Sequence, residues 1–150
     1  MGEALIDLIH SPQTAEPEVR IGGSPFNVAI ALARLGVKTG FICPLSTDDY
    51  GHRLAQSLLS NGVRQCVQDR IDRPTAVAEV FTDAVGHPTY TFHRDGTADR
   101  ALGALPPIQA LPKQIVALHF GSLVLAQATD WLAWKTAIIA ARDRGAFIAF

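Results

Sequence analysis

The chain has 150 residues, enough for one domain or part of a larger one, and at 48% hydrophobic and 18% charged it can bury a core. Its formal net charge is −1 with Lys and Arg scattered, which argues against a nucleic-acid surface or a basic membrane-binding face. Two cysteines, Cys43 and Cys66, are too few for a disulfide scaffold and are expected to be reduced, mostly buried thiols of a cytosolic protein. No apolar run reaches the ~20 residues of a membrane span, and the acidic start MGEALIDLIH does not read as a signal peptide.

In chain order, EALIDLIH reads as a short strand over about residues 4–10, and the polar, proline-containing SPQTAEPEVR as a connection. A helix is expected over 25–35, with Ser24 as its cap, Pro25 in its first turn and Gly36 just past its end. TGFICPLS reads as a buried strand. A second helix follows, capped by Thr47 or Asp48, with Leu54, Leu58 and Leu59 as its apolar stripe and Asn61-Gly62 as its stop. The adjacent Asp48 and Asp49 are read as cap and dipole partners rather than as a metal pair.

The pattern then changes to period two. TAVAEVFTDAVGHPTYTFHR predicts a β-hairpin, with Tyr90 and Phe92 on one face, Thr89, Thr91 and His93 on the other, and one side solvated. ADRALGALPPIQALPK reads as loop with one helical turn, and IVALHFGS as another buried strand. A helix over TDWLAWKTAIIAARDRG has Thr129 as candidate cap and Gly145 at its end, with Trp131 and Trp134 packing; AFIAF begins a further strand. The alternation predicts an α/β fold with a mostly parallel sheet and an inserted antiparallel hairpin. His10, His52, His87, His93 and His119 are dispersed without metal-ligand spacing, and His119 reads as a core histidine.

One stretch calls for more than a fold. In RIGGSPFNVAIALARLG, Gly22 and Gly23 can bring a ligand against bare backbone, and the helix after them is apolar nearly all round, so it is expected to be buried. Burying Asn27 in its first turn would cost about 1–3 kcal/mol without a partner. Two readings fit: a pocket for hydroxyls or an anion at a helix N-terminus, or a plain strand-to-helix turn with Asn27 bonded to its own backbone. The adjacent glycines are not GxGxxG, and no GK[ST] follows.

GGSPFNVAIALARLG, then GFICPLSTDDYG and LLSNGV, resembles the amino-terminal signature of PfkB-type, ribokinase-like carbohydrate kinases; GEALIDLI looks most like the fructokinase branch. FHRDGTAD and LHFGSLVLA fall where that family has its lid and its next core strand. The resemblance implies a ribokinase-like α/β fold. Residues 1–150 would form the amino-terminal part of one kinase domain, with lid strands near 6–12 and 75–94. It implies ATP-dependent phosphorylation of a sugar hydroxyl, fructose or a related ketose first, with ATP and Mg²⁺ as cofactors and a homodimer through the lid. Asp7, Gly22, Gly23 and Asn27 would bind the sugar, and Arg94 falls where some members place an arginine against it. The family's catalytic aspartate belongs to a GAGD-type motif that these residues do not contain, so the chain alone is expected to be inactive. The alternative is a non-catalytic remnant, or a half that pairs with another chain.

Overall fold

The computed structural model describes residues 1–11, 14–82, 87–101, 107–126 and 131–150. Strand β1 (Leu5–His10) lies between β2 (Glu18–Gly22), antiparallel to it, and β7 (Ala76–Thr82), parallel to it. Strand β8 (Pro88–His93) pairs antiparallel with β7 and completes a four-stranded sheet of order β2-β1-β7-β8. The hairpin is therefore as the alternation predicts, although its turn and residue 12, the end of the expected 6–12 lid strand, lie outside the described residues. Strand β2 corrects the reading of SPQTAEPEVR as connection. Val19 and Ile21 alternate with Glu18 and Arg20 and turn onto the apolar core, while Glu18 and Arg20 pair at 2.7 Å on the other face. The expectation of one solvated hairpin side holds for β7, where Ala76, Ala78 and Val80 are buried, but is corrected for β8, which is exposed along its whole length.

The predicted strand over TGFICPLS is split. Only β3 (Gly40–Phe41) and β4 (Leu45–Ser46) pair, each parallel, with β5 (Arg64–Gln65) and β6 (Arg70–Ile71) respectively. Pro44, which has no N–H to give a ladder, stands at the break. Strands β9 (Ala117–His119) and β10 (Phe147–Ala149) form another parallel pair.

Helix α1 (Ser24–Arg34) and helix α2 (Asp49–Ser60) pack under the sheet. Ile6, Phe26, Phe41, Leu54 and Leu58 are each at most 1% exposed, and Phe26 meets Phe41 edge to face at 5.5 Å. Each such side chain contributes about 1.5–3 kcal/mol by burial. The expectation that α1 is buried on nearly every side is corrected: Pro25, Phe26, Ala29 and Ile30 are buried, but Ala31 is exposed and Leu35 is 80% exposed. The stripe of α2 likewise narrows to Leu54 and Leu58; Leu59 faces outward at 71% exposure.

A short helix, α3 (Pro107–Ala110), supplies the expected helical turn and packs on α4 (Trp131–Asp143). Trp134 is buried beside Leu118, Ala137 and Ala141; Trp131, expected to pack, is 41% exposed, and Thr129 lies outside the described residues. Cys43 is buried and Cys66 half-buried, both free thiols. The three long helices end alike. After α1, Gly36 N–H bonds Ala33 O and Val37 N–H bonds Leu32 O; Gly62 and Gly145 close α2 and α4 the same way, all three at positive φ. No helix of the described residues is long and apolar enough to cross a membrane.

Candidate functional site

Strand register sorts the sheet into two faces. Ile6, Leu8, Val19, Ile21 and Val77 pack into the core over α1 and α2. The opposite face is built in rows. Gly22, Leu5 and Ala76 lie side by side; the next row is Arg20, Asp7, Ala78 and Phe92; the next is Glu18, Ile9, Val80 and Tyr90. Asp7 is thus a mid-sheet carboxylate, flanked on β2 by the exposed Arg20 and on β7 by the fully buried Ala78. Burial pushes the Asp7 carboxyl above its ordinary value.

The glycine step belongs to this face. A methyl group on Gly22 would come within 2.9 Å of Asp7 Cγ and of Leu5 Cδ1, and closer still to Asp7 Oδ2. Glycine there is what lets the carboxyl lie over the backbone of β2. At Gly23 the cause differs. Its φ of 104° is a left-handed backbone, and a methyl group would press on Glu3 O at 2.7 Å. The chain turns at this residue from β2 into α1, and Gly23, not Ser24, occupies the cap position; Ser24 makes no capping bond. No side chain caps the first turn, and Pro25 within it has no N–H to satisfy. Asn27 follows one turn in. It is exposed rather than buried, so the expected desolvation cost does not arise, and its backbone N–H bonds Gly23 O at 2.9 Å.

Arg94 has a different environment. It is 6% exposed; Nη2 donates to Asp99 Oδ2 at 2.8 Å, and Nη1 donates to Leu123 O at 3.1 Å. Asp99, 2% exposed, also accepts the Thr97 hydroxyl at 2.5 Å. The structure therefore brings Asp7, Gly22 and Gly23 together beside the start of α1, and places Arg94 at the far end of the same face in a buried ion pair. A cleft of about 450 Å³ lined by Thr75, Val77, Phe92, His93, Arg94 and Thr97 opens at the base of the hairpin, and does not include Asp7, Gly22 or Asn27.

The hairpin is tied down at its root by Asp48. This residue caps α2 by accepting Gly51 N–H at 2.7 Å, and it also accepts Thr75 N–H at 2.7 Å and the Thr75 hydroxyl at 2.6 Å. Burial alone would push its carboxyl up, but the bonds from Thr75 and Gly51 outweigh that and hold it below its ordinary value. Residues missed from the sequence are Glu3, Ala78, Asp99 and Ser122. Glu3, 1% exposed, accepts both the N–H and the hydroxyl of Ser122 at 2.9 Å. The signals were an acid beside an apolar strand and the polar TAD after the hairpin.

Among the described residues no three His, Cys, Asp or Glu side chains are grouped to hold a metal ion.

The strands, helices and hairpin define a partial ribokinase-like α/β domain. The sequence profile described as "pfkB family carbohydrate kinase" matches residues 1–149, and the chain belongs to that family. It is 35% identical over 131 residues to fructokinase-2 of Solanum lycopersicum, covering 86% of this chain and 40% of that protein. The crystal structure of fructokinase from Xylella fastidiosa superposes with a TM-score of 0.85 at 28% identity, covering 98% of this chain and 49% of that one. Fructokinase from Vibrio cholerae O395, solved with fructose, ADP and calcium ion bound, gives a TM-score of 0.79 at 27% identity, covering 98% of this chain and 47% of that one. The chain thus spans about half the length, or somewhat less, of the relatives it matches.

Proposed function

We propose that these residues form the sugar-binding part of an ATP-dependent sugar kinase, with fructose or a related ketose as substrate. The observation that carries the reading is the Asp7 carboxyl lying over Gly22 and beside the uncapped first turn of α1, on the sheet face turned away from the core. A carboxylate accepts hydrogen bonds from sugar hydroxyls; the backbone at Gly22 and Gly23 gives the ring a flat approach; the Asn27 amide, free at the surface, can both donate and accept. The hairpin β7–β8, bearing Phe92 and Tyr90 over the same face, is the lid. Its closure would exclude water, a competing acceptor in phosphoryl transfer. The exposed edge of β8 is the surface for a homodimer through the lid.

ATP and Mg²⁺ are the family's implied cofactors and supply the phosphoryl group and charge screening. The residues described here bind and orient the sugar and exclude water from it. The sequence holds no GAGD-type motif, and purified chain mixed with ATP, Mg²⁺ and fructose should form no ADP above background. Thermal unfolding with and without millimolar fructose, ribose and 2-keto-3-deoxygluconate tests the binding role. A ligand that binds the folded state alone stabilises it by RT ln(1 + [L]/Kd). A midpoint raised by fructose supports the reading, and a midpoint that no sugar moves refutes it.

A further inference from the structure

We infer that Glu3 and Arg94 are positioning residues that clamp the Ser122–Leu123 segment across the floor of the sugar face, and that Arg94 acts through this clamp rather than as a sugar ligand. The inference rests on the sugar-binding reading of Asp7 and the glycine step. Leu5 and Asp7 are alternate residues of β1 and share a face, and Glu3 stands just before that strand. The strap passes beside Glu3, which takes the N–H and hydroxyl of Ser122 at 2.9 Å. It then lays Leu123 against the apolar cluster of Leu5, Ala76 and Ala78, on the face that carries Asp7. Its far end is held by Arg94, which donates to Leu123 O at 3.1 Å. The approach is close: a methyl group on Gly2 would run into Gly121 O.

Both clamp charges are at most 6% exposed. Asp99 neutralises the Arg94 guanidinium at 2.8 Å, and its buried Nε, without a hydrogen-bond partner, is out of reach of solvent. Both terminal nitrogens are engaged, Nη2 by Asp99 and Nη1 by the strap, so a sugar hydroxyl competing for those bonds would have to displace one of them. Breaking a buried charge pair is strongly destabilising. Arg94 is therefore worth more as a fixed strut than as a contact that must be remade at each binding event.

The experiment is fructose titration calorimetry on the full chain, with circular dichroism to check folding. Glu3→Ala should weaken fructose binding at least fivefold. Glu3→Gln should stay within twofold of wild type, because its amide can pair with both Ser122 groups. Arg94→Lys, which keeps a charge for Asp99 but loses the bond to Leu123, should weaken binding similarly, and Arg94→Lys with Glu3→Ala should be no worse than the poorer single variant. Should Glu3→Ala fail to fold, Ser122→Ala at the exposed end of the same bond should still weaken binding at least twofold. Wild-type affinity in folded Glu3→Ala or in Ser122→Ala overturns the inference, as do multiplicative losses in the double variant. Absence of fructose binding by wild type refutes the sugar-binding reading itself, and the inference with it.

Discussion

Gly22→Ala separates binding from stability. The added methyl would sit 2.9 Å from Asp7 Cγ, where carbon–carbon contact is ordinarily about 3.5–4.0 Å. The carboxyl must retreat by roughly 1 Å, and a group misplaced by that much can lose on the order of a hundredfold in function. The atoms in the way are the ends of the Asp7 and Leu5 side chains, not backbone, so the fold yields by rotamer change at a cost of about 0.5–1.5 kcal/mol. For a domain of this size that is a shift of roughly 1–6 °C in unfolding midpoint. Fructose titration calorimetry should therefore show affinity lost by more than tenfold in a protein that still unfolds cooperatively. Gly36→Ala is the control. A methyl there meets nothing within 4 Å, but φ is +82°, so it should cost about 1 kcal/mol of stability and leave binding intact. Unchanged fructose affinity in Gly22→Ala would refute the role given to Asp7.

Asp7→Asn should abolish sugar binding yet raise stability at neutral pH. Burial raises the Asp7 carboxyl in the folded state, so its contribution is present below the unfolded value and lost as pH rises through the folded one. The gain in midpoint should vanish near pH 3, and a variant less stable than wild type at pH 7 would count against the site. Asp48→Ala should cost about 2 kcal/mol, roughly 4–8 °C, because it removes a cap and strands the Thr75 donors. The Asp48 carboxyl is held low when folded, so its contribution is present above the unfolded value and lost as pH falls through the folded one; the wild-type advantage should fade in acid. Cys66 should react with a thiol reagent in the native protein while Cys43, buried and with its thiol pushed well up, reacts only on unfolding. Equal rates would contradict the packing around Phe41.

Local chemistry was legible in the sequence. The stops at Gly36, Gly62 and Gly145 were readable because a left-handed residue after a helix almost requires glycine, and the Asp48 cap because its bond to Gly51 spans three residues. The hairpin was readable from period two, and Asp7 with the glycine step from motif resemblance. What depended on distant partners was not. Strand β2 was hidden because its outward residues are charged and prolines flank it, so only its pairing with β1 reveals it. Glu3 gains meaning from Ser122, 119 residues on, and Arg94 from Asp99 and Leu123. Asn27 was expected to be buried because the residues after it are apolar, yet the start of α1 presents it at the surface, where the proposed ligand would be.

The most direct test of the central claim is a titration of isotope-labelled chain with fructose, followed by amide ¹H–¹⁵N spectra. The account predicts saturable shifts at Asp7, Gly22, Gly23 and Asn27, with the amides of α4 unmoved. No shift up to tens of millimolar fructose, or shifts confined to other surfaces, would contradict it.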